Sequence, residues 1–126
     1  MADVPKISDS EWKVMRAVWA AGAAVAAYDV IAALRATEDW SAKTVRTLLA
    51  RLVSKGALGY RKYKNLYLYH ALVSEADCVG AEADSFLRRC FDGALQPMVS
   101  YFVQQRSLTP KQIRELKRIL EKREAK

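Results

Sequence analysis

The sequence predicts a mainly α-helical chain with a small β hairpin. Apolar residues recur at helical spacing along most of the chain, but between residues 58 and 72 they alternate with a period of two. Residues 40–73 contain seven Lys or Arg and no Asp or Glu, an excess equal to the net charge of +7 on the whole 126-residue chain. A chain of this length forms one modest domain or two small ones, and a basic block of one sign is typical of a surface that binds a polyanion.

The first two helices are predicted from apolar stripes and from the signals at their ends. Residues 10–20 carry a helical stripe, and Ser8 or Ser10 is the expected N-cap. The stripe consists of Trp12, Met15, Val18 and Trp19. Residues 24–26 favour a short strand, and residues 28–36 favour a second helix.

A third helix is expected between Ser41, a good N-cap, and Gly56, which stops it. Its apolar face, expected in a core, consists of Val45, Leu48, Leu49 and Leu52. The opposite face is cationic, with small residues between the charges, and consists of Lys43, Arg46, Thr47, Ala50 and Ser54, with Thr44 and Arg51 at its edges. A helix of this shape can enter a narrow groove.

Residues 58–63 and 66–72 are predicted to be two strands joined by a turn at residues 64–65. The basic residues that surround the tip and should be exposed are Arg61, Lys62 and Lys64. Three tyrosines on the strands are expected to be half-buried sheet residues, and they are Tyr60, Tyr67 and Tyr69. A base-stacking surface is the alternative, which is disfavoured because the basic residues lie beside the tip and not between the rings.

The segment 74–126 is predicted to be helical, with Ser74 as its first N-cap, a break at Gly93 and Pro97, and a last helix that begins at Thr109. Its apolar stripes exceed what a core within the segment can absorb, which favours a two-fold dimer. The alternative is a monomer in which these helices fold back on the first domain. The residues expected at the dimer interface are Phe86, Leu87, Phe91, Leu95, Met98, Phe102, Ile113, Leu116 and Leu120.

The composition disfavours several classes of protein. No apolar run reaches the ~20 residues of a membrane span and no signal-peptide pattern is found, so a cytoplasmic location is expected. Cys78 and Cys90 are too few for a disulfide framework, and we interpret them as small apolar helix residues, with redox pairing between subunits as the alternative. A single histidine, His70, and the lack of a nucleophile with an accompanying base predict no metal site, no cofactor and no enzyme activity.

The order helix, strand, helix, helix, hairpin is the plan of a winged helix-turn-helix DNA-binding domain, expected over residues 1–73, with a helical dimerisation domain over residues 74–126. The third helix fits the major groove of double-stranded DNA, which is about 12 Å wide. Base contacts are expected from Lys43, Thr44, Arg46 and Thr47, and backbone contacts from Arg51, Lys55, Arg61, Lys62 and Lys64. The alternative is a basic interaction module that binds RNA or an acidic protein partner.

Four segments carry a family resemblance: ISDSEWKVMRAVW (7–19), DWSAKTVRTLLARLVSKGAL (39–58), YLYHALVSEAD (67–77) and SYFVQQRSLTPKQIRELKRIL (100–120). The sequence resembles the penicillinase and methicillin-resistance repressors, a family that also contains copper-responsive repressors. The resemblance implies a homodimeric winged-helix repressor that occupies inverted-repeat operator DNA with TACA/TGTA elements, and a β-lactam-resistance or related gene as its target. It also implies the base-contacting role for Lys43, Thr44 and Arg46 and the backbone-contacting role for Arg51, Arg61 and Lys62.

The antibiotic-resistance branch of this family depends on a membrane sensor metalloprotease, and its repressors are cleaved within the dimerisation domain. The resemblance places the corresponding bond at Tyr101–Phe102, and Tyr101 stands where those repressors carry Asn. The copper branch carries a C-terminal pair of Cys-x-Cys motifs, whereas this sequence has no cysteine after Cys90. Copper sensing of that kind is therefore not expected.

Overall fold

The computed structural model describes residues 4–124; residues 1–3 and 125–126, which belong to the two expected domains, lie outside the described residues. The elements, in chain order, are α1 (Asp9–Ala21), β1 (Val25–Ala26), α2 (Ala27–Arg35), α3 (Ala42–Lys55), β2 (Leu58–Tyr63), β3 (Leu66–Ala71), α4 (Glu75–Phe91), α5 (Leu95–Gln105) and α6 (Pro110–Glu124). The protein is thus mainly helical with a small antiparallel sheet, which confirms the predicted fold class.

A serine side chain caps the start of α1 and of α3, and a glycine ends each of these helices. At the start of α1, the Ser8 hydroxyl accepts from the Glu11 backbone N–H at 3.3 Å, and the Glu11 carboxylate accepts from the Ser8 N–H at 2.9 Å. Of the two serines expected as possible N-caps, Ser8 and Ser10, it is Ser8 that caps α1. At the start of α3, the Ser41 hydroxyl accepts from the Thr44 N–H at 3.1 Å. Gly56 ends α3 at φ +84°, a left-handed conformation that glycine adopts without steric cost.

The sheet has the strand order β1-β3-β2, and both strand pairs are antiparallel. Tyr60 lies opposite Tyr69 and Lys62 lies opposite Tyr67, so β2 and β3 form the predicted hairpin. Its turn contains Lys64 at φ 57°. The short strand β1 pairs with the middle of β3, which ties the hairpin to the start of α2.

The core lies between α1, α2, α3 and the base of the hairpin. All four residues predicted for the apolar face of α3 are buried: Val45, Leu48, Leu49 and Leu52. Met15 of α1 and Leu58 of β2 are also among the largest fully buried side chains. Because the inner face of α3 is fixed in this way, its opposite face is directed to solvent.

Contacts divide the chain into two compact units, a first unit up to Glu82 and a second unit from Ala83. The division falls within α4 because Cys78, near the start of this helix, is buried in the core of the first unit. Burial raises the pKa of the Cys78 thiol, and the carboxylate of Asp77 raises it further, so this thiol stays protonated at neutral pH. Cys90, by contrast, is exposed.

The second unit contains the end of α4 and the helices α5 and α6. The break predicted at Gly93 and Pro97 is confirmed: Asp92 and Gly93 have φ of 51° and 82°, and Pro97 lies in the first turn of α5, where its missing N–H costs nothing. Thr109 caps α6. Between Ala83 and Glu124 the structure has no fully buried residue.

Candidate nucleic-acid interface

The outer face of α3 presents the four residues expected to contact bases. Lys43, Thr44, Arg46 and Thr47 are all exposed. The Thr47 hydroxyl donates to the backbone oxygen of Lys43 at 3.0 Å, which leaves the methyl group of Thr47 for an apolar contact. The Thr44 hydroxyl lies 3.0 Å from that of Ser41. The two threonines thus offer a small surface between two long cationic side chains.

Among the described residues, no carboxylate pairs with the basic side chains on this surface. Within residues 4–124, the described ion pairs involve Lys13 with Glu38 and Lys55 with Glu11, and none involves Arg46. The same holds, in that part of the chain, for the other exposed basic residues of the interface, which are Lys43, Arg51, Arg61, Lys62 and Lys64. Exposed cations on one unit, without carboxylate partners among the described residues, create a positive field that attracts a polyanion.

Lys55, which we expected to contact the DNA backbone, has an intramolecular role in the structure. Its ammonium group donates to the carboxylate of Glu11 and, at 2.9 Å, to the backbone oxygen of Lys6. The Glu11 side chain is only 2% exposed, so this carboxylate needs a counter-charge. The sequence did not reveal this pairing because the two residues are 44 positions apart.

The basic residues of the hairpin do not form one cluster. Arg61 and Lys62 are neighbours on β2, and successive side chains of a strand point to opposite faces of the sheet. Lys62 shares its face with Tyr67, whereas the ammonium of Lys64 lies 5.5 Å from the ring centre of Tyr63, which is on the other face. The basic residues around the hairpin tip therefore lie on two faces of the sheet.

Two of the three hairpin tyrosines that were expected to be half-buried are exposed in the structure. Tyr60 and Tyr67 are 54% and 51% exposed, and Tyr69 alone is half-buried, so the prediction of burial was wrong for two of them. The physical reason is that β2 leaves the core after Leu58, so that its residues from Tyr60 to Tyr63 are exposed. The rings pack instead on each other, with centroid distances of 5.4 Å from Tyr60 to Tyr67 and 6.1 Å from Tyr60 to Tyr69.

A groove between α3 and the hairpin includes a residue that the sequence analysis missed. Tyr28, in the first turn of α2, is 57% exposed. The residues that line this groove, which we call the wing groove, are Ala26, Ala27, Tyr28, Arg46, Asn65, Leu66, Tyr67 and Tyr69. The sequence offered one signal for Tyr28: it is a large aromatic residue that lies outside the buried side of α2.

The second unit exposes most of the side chains expected at the dimer interface. Leu95 and Leu120 are 59% and 65% exposed, and Ile113, Leu116 and Phe102 are also exposed. The remaining members of the predicted set are half-buried, and they are Phe86, Leu87, Phe91 and Met98. An apolar groove between α5 and α6 is lined by Val103, Leu108, Ile113, Leu116 and Leu120, with Arg106 and Lys117 at its sides.

Of the helices that are described, none has the length and apolar character to cross a bilayer.

Comparisons with known proteins agree with this arrangement. The family model of the penicillinase repressor matches residues 7–122. The chain is 37% identical over 121 residues to the penicillinase repressor of Bacillus licheniformis, covering 96% of this chain and 94% of the relative. It is 34% identical over 118 residues to the methicillin resistance regulatory protein MecI of Staphylococcus aureus (strain N315), covering 94% of this chain and 95% of the relative.

A solved structure matches the DNA-binding part of the fold. It is the solution structure of the monomeric form of Bacillus licheniformis BlaI in complex with the blaP half-operator. The match has a TM-score of 0.54 and 38% sequence identity, and it covers 61% of this chain and 93% of that one. The family matched by this chain is one of repressors and not of enzymes. With the winged-helix fold and the exposed basic face of α3, the family match over residues 7–122 identifies this chain as a member of the penicillinase repressor family of DNA-binding transcriptional repressors.

Proposed function

We propose that this protein is a homodimeric repressor that blocks transcription by occupying palindromic operator DNA. The outer face of α3 is the main support: its basic side chains are exposed and have no carboxylate partner within the described residues. A relative that is 38% identical over this region was solved with a half-operator. A helix of this kind inserts its N-terminal residues into the major groove.

The roles of the individual side chains follow from their chemistry. Lys43 and Arg46 donate hydrogen bonds to base edges, and a guanidinium can form two such bonds with guanine. Thr44 and the methyl group of Thr47 contact neighbouring bases. Backbone contacts are assigned to Arg51, Arg61, Lys62 and Lys64. We leave Lys55 out of this set because its ammonium group forms an ion pair with the Glu11 carboxylate.

The second unit supports the dimer. A set of helices with no fully buried residue between Ala83 and Glu124 gains stability when a second copy covers its apolar side chains. We assign dimerisation to residues 74–126, and the interface to the nine apolar residues predicted for it. A two-fold dimer presents two α3 helices to half-sites about 34–36 Å apart, one turn of the DNA helix.

The names of the relatives suggest the regulated gene, and the family resemblance implies an inducing partner. One relative is a penicillinase repressor and another regulates methicillin resistance, so we propose a β-lactam-resistance or related gene as the target.

A membrane sensor metalloprotease is the corresponding partner, with cleavage at Tyr101–Phe102. This bond lies inside α5, so cleavage requires local unfolding of that helix. Exposure of the repressor to such a protease, followed by intact-mass measurement, should give a single cut after Tyr101; an uncut chain removes this part of the proposal.

A gel-shift titration tests the central claim. The full-length protein should bind an inverted repeat with TACA/TGTA elements more tightly than a scrambled duplex of the same length. If the dimer neutralises about 6–10 phosphates, the affinity should fall by about 10³–10⁵ between 50 and 200 mM salt. Heparin and single-stranded RNA of matched charge serve as competitors. If either displaces the protein more readily than the operator duplex does, the chain is a general polyanion-binding module and the proposal is wrong.

A further inference from the structure

We propose that Tyr28 and Tyr67 bind one phosphodiester backbone strand of duplex DNA in the wing groove, through their phenolic hydroxyl groups. This inference rests on the DNA-binding function proposed above and adds two residues and a ligand chemistry to it. Four parts of the fold, β1, α2, α3 and the β hairpin, contribute the walls of the groove. The groove is therefore a product of the tertiary fold of the first unit.

The charge of the groove suits an anionic strand. Arg46 contributes to its lining, and the cross-strand neighbour of Tyr67 on the same face of the hairpin is Lys62. Neither cation has a carboxylate partner among the described residues. Asp29 follows Tyr28 in the same turn of α2, but its side chain does not line the groove. Of the described residues that form the walls, none carries a carboxylate.

The hydroxyl groups of Tyr28 and Tyr67 are available as donors. Both side chains are more than half exposed, and within residues 4–124 neither hydroxyl has a hydrogen-bond partner in the protein. The Tyr67 ring is held by an edge-on contact with Tyr60, so its orientation is fixed by the sheet. A neutral O–H donor aimed at a phosphate oxygen forms a charge-assisted hydrogen bond, a common type of contact to the DNA backbone.

A backbone contact explains these tyrosines better than base stacking does. The base edges of a duplex are met by α3 in the major groove, whereas a phosphodiester strand borders that groove on the side where a wing lies. In a duplex the faces of the bases are covered by neighbouring bases, so an exposed ring has no free base on which to stack. A hydroxyl group at the rim of a cationic groove needs no distortion of the duplex.

The test uses conservative variants of the full-length protein. Tyr28→Phe and Tyr67→Phe each remove one hydroxyl group and keep the ring. Each should weaken binding about tenfold, equally for operator and scrambled duplex, because a phosphate contact carries no sequence information. The slope of log K against log salt should stay unchanged, since a neutral donor releases no counterion. Lys62→Ala, by contrast, should reduce the magnitude of that slope by about one.

Tyr63→Phe is the matched control. Tyr63 is 55% exposed on the same hairpin but lies on the opposite face, and its ring remains present to contact Lys64. Its loss of one hydroxyl should change the affinity less than twofold. The proposal is overturned if Tyr28→Phe and Tyr67→Phe bind like the wild type, or if Tyr63→Phe loses as much affinity as they do.

Two further outcomes separate this inference from the proposed function. If Tyr67→Phe binds normally but Tyr67→Leu does not, the ring and not the hydroxyl makes the contact, which overturns the inference and leaves the repressor function intact. If the wild type shows no salt-dependent binding to any duplex, both proposals fail. Thermal unfolding of each variant, expected within about 2 °C of the wild type, checks that the substitutions act on binding and not on the fold.

Discussion

The ammonium group of Lys55, the last residue of α3, binds the buried carboxylate of Glu11 in the first turn of α1. The same carboxylate accepts the Ser8 N–H, and the same ammonium donates to the backbone oxygen of Lys6. These contacts join the start of α1 to the end of the helix that is proposed to enter the DNA. Burial of Glu11 favours its neutral form, but the hydrogen bonds from Lys55 and Ser8 outweigh this effect and hold its pKa below the usual value.

Removal of the Lys55 charge should destabilise the protein. In Lys55→Met the Glu11 carboxylate loses its counter-charge while it stays buried, and the free energy of unfolding should fall by about 1–3 kcal/mol. Urea unfolding followed by circular dichroism measures this change. Lys62→Met is the control, since Lys62 is exposed and has no carboxylate partner in the described chain, and it should change stability by less than about 0.5 kcal/mol. Equal effects of the two substitutions would show that the ion pair contributes nothing.

Stability should also depend on pH through Glu11. Because the pKa of Glu11 is lower in the folded protein than in the unfolded chain, the unfolded chain binds its proton first as the pH falls. The stabilisation is fully present above about pH 4.3, the usual pKa of Glu, and is lost as the pH falls through the lower folded value. Urea midpoints measured between pH 6 and pH 3 should therefore decline less steeply in Glu11→Gln than in the wild type. A decline of the same steepness in both proteins contradicts this assignment.

Arg46 and Lys62 should differ in what they contribute to DNA binding. Arg46→Ala should cost about 1–3 kcal/mol on the operator and much less on a scrambled duplex, because a lost base contact relaxes specificity. Lys62→Ala should weaken binding to both duplexes by the same factor, because a phosphate contact is independent of sequence. Gel-shift titrations on the two duplexes at one salt concentration measure both effects. An equal loss on the two duplexes for Arg46→Ala would remove Arg46 from the residues that contact bases.

The apolar face of α6 should hold the dimer together. Leu116 is 42% exposed and lines the groove between α5 and α6. Leu116→Gln should shift the sedimentation of a micromolar sample from twice the monomer mass towards the monomer mass, because a polar amide replaces buried apolar surface. Arg118→Gln is the matched control on the same helix, at a position turned away from Leu116. A wild-type protein that sediments as a monomer would contradict the dimer itself.

Much of the fold could be predicted from local patterns. The caps at Ser41 and Thr109, the stop at Gly56 and the apolar face of α3 are all present in the structure, since each depends on residues within a few positions of one another. The two hairpin strands were found to within one residue, because alternation and a two-residue turn are also local signals. The exposure of Tyr60 and Tyr67 could not be predicted in this way, because alternation does not indicate how much of the sheet is covered.

The residues of the candidate site also fall into two groups, those that local patterns predicted and those that only the packed structure reveals. The exposed basic residues of α3 were predicted as a set, because the opposite face of that helix is so clearly apolar. Tyr28 was missed, because it approaches Arg46 and Tyr67 only when α2, α3 and the hairpin are packed together. Lys55 was assigned to DNA because its position near the end of a basic helix gives no indication of Glu11.

By itself, the sequence determined the helices, the hairpin, the basic surface of α3 and the family to which the chain belongs, because spacing, capping and charge are properties of neighbouring residues. Only the tertiary structure decided which charges remain available to a partner. Glu11 and Lys55 are 44 positions apart in the chain and form an ion pair only because α1 and α3 pack together. This pairing depends on the tertiary structure and removes Lys55 from the available charges, since a cation contributes to binding when no buried carboxylate lies within reach of it.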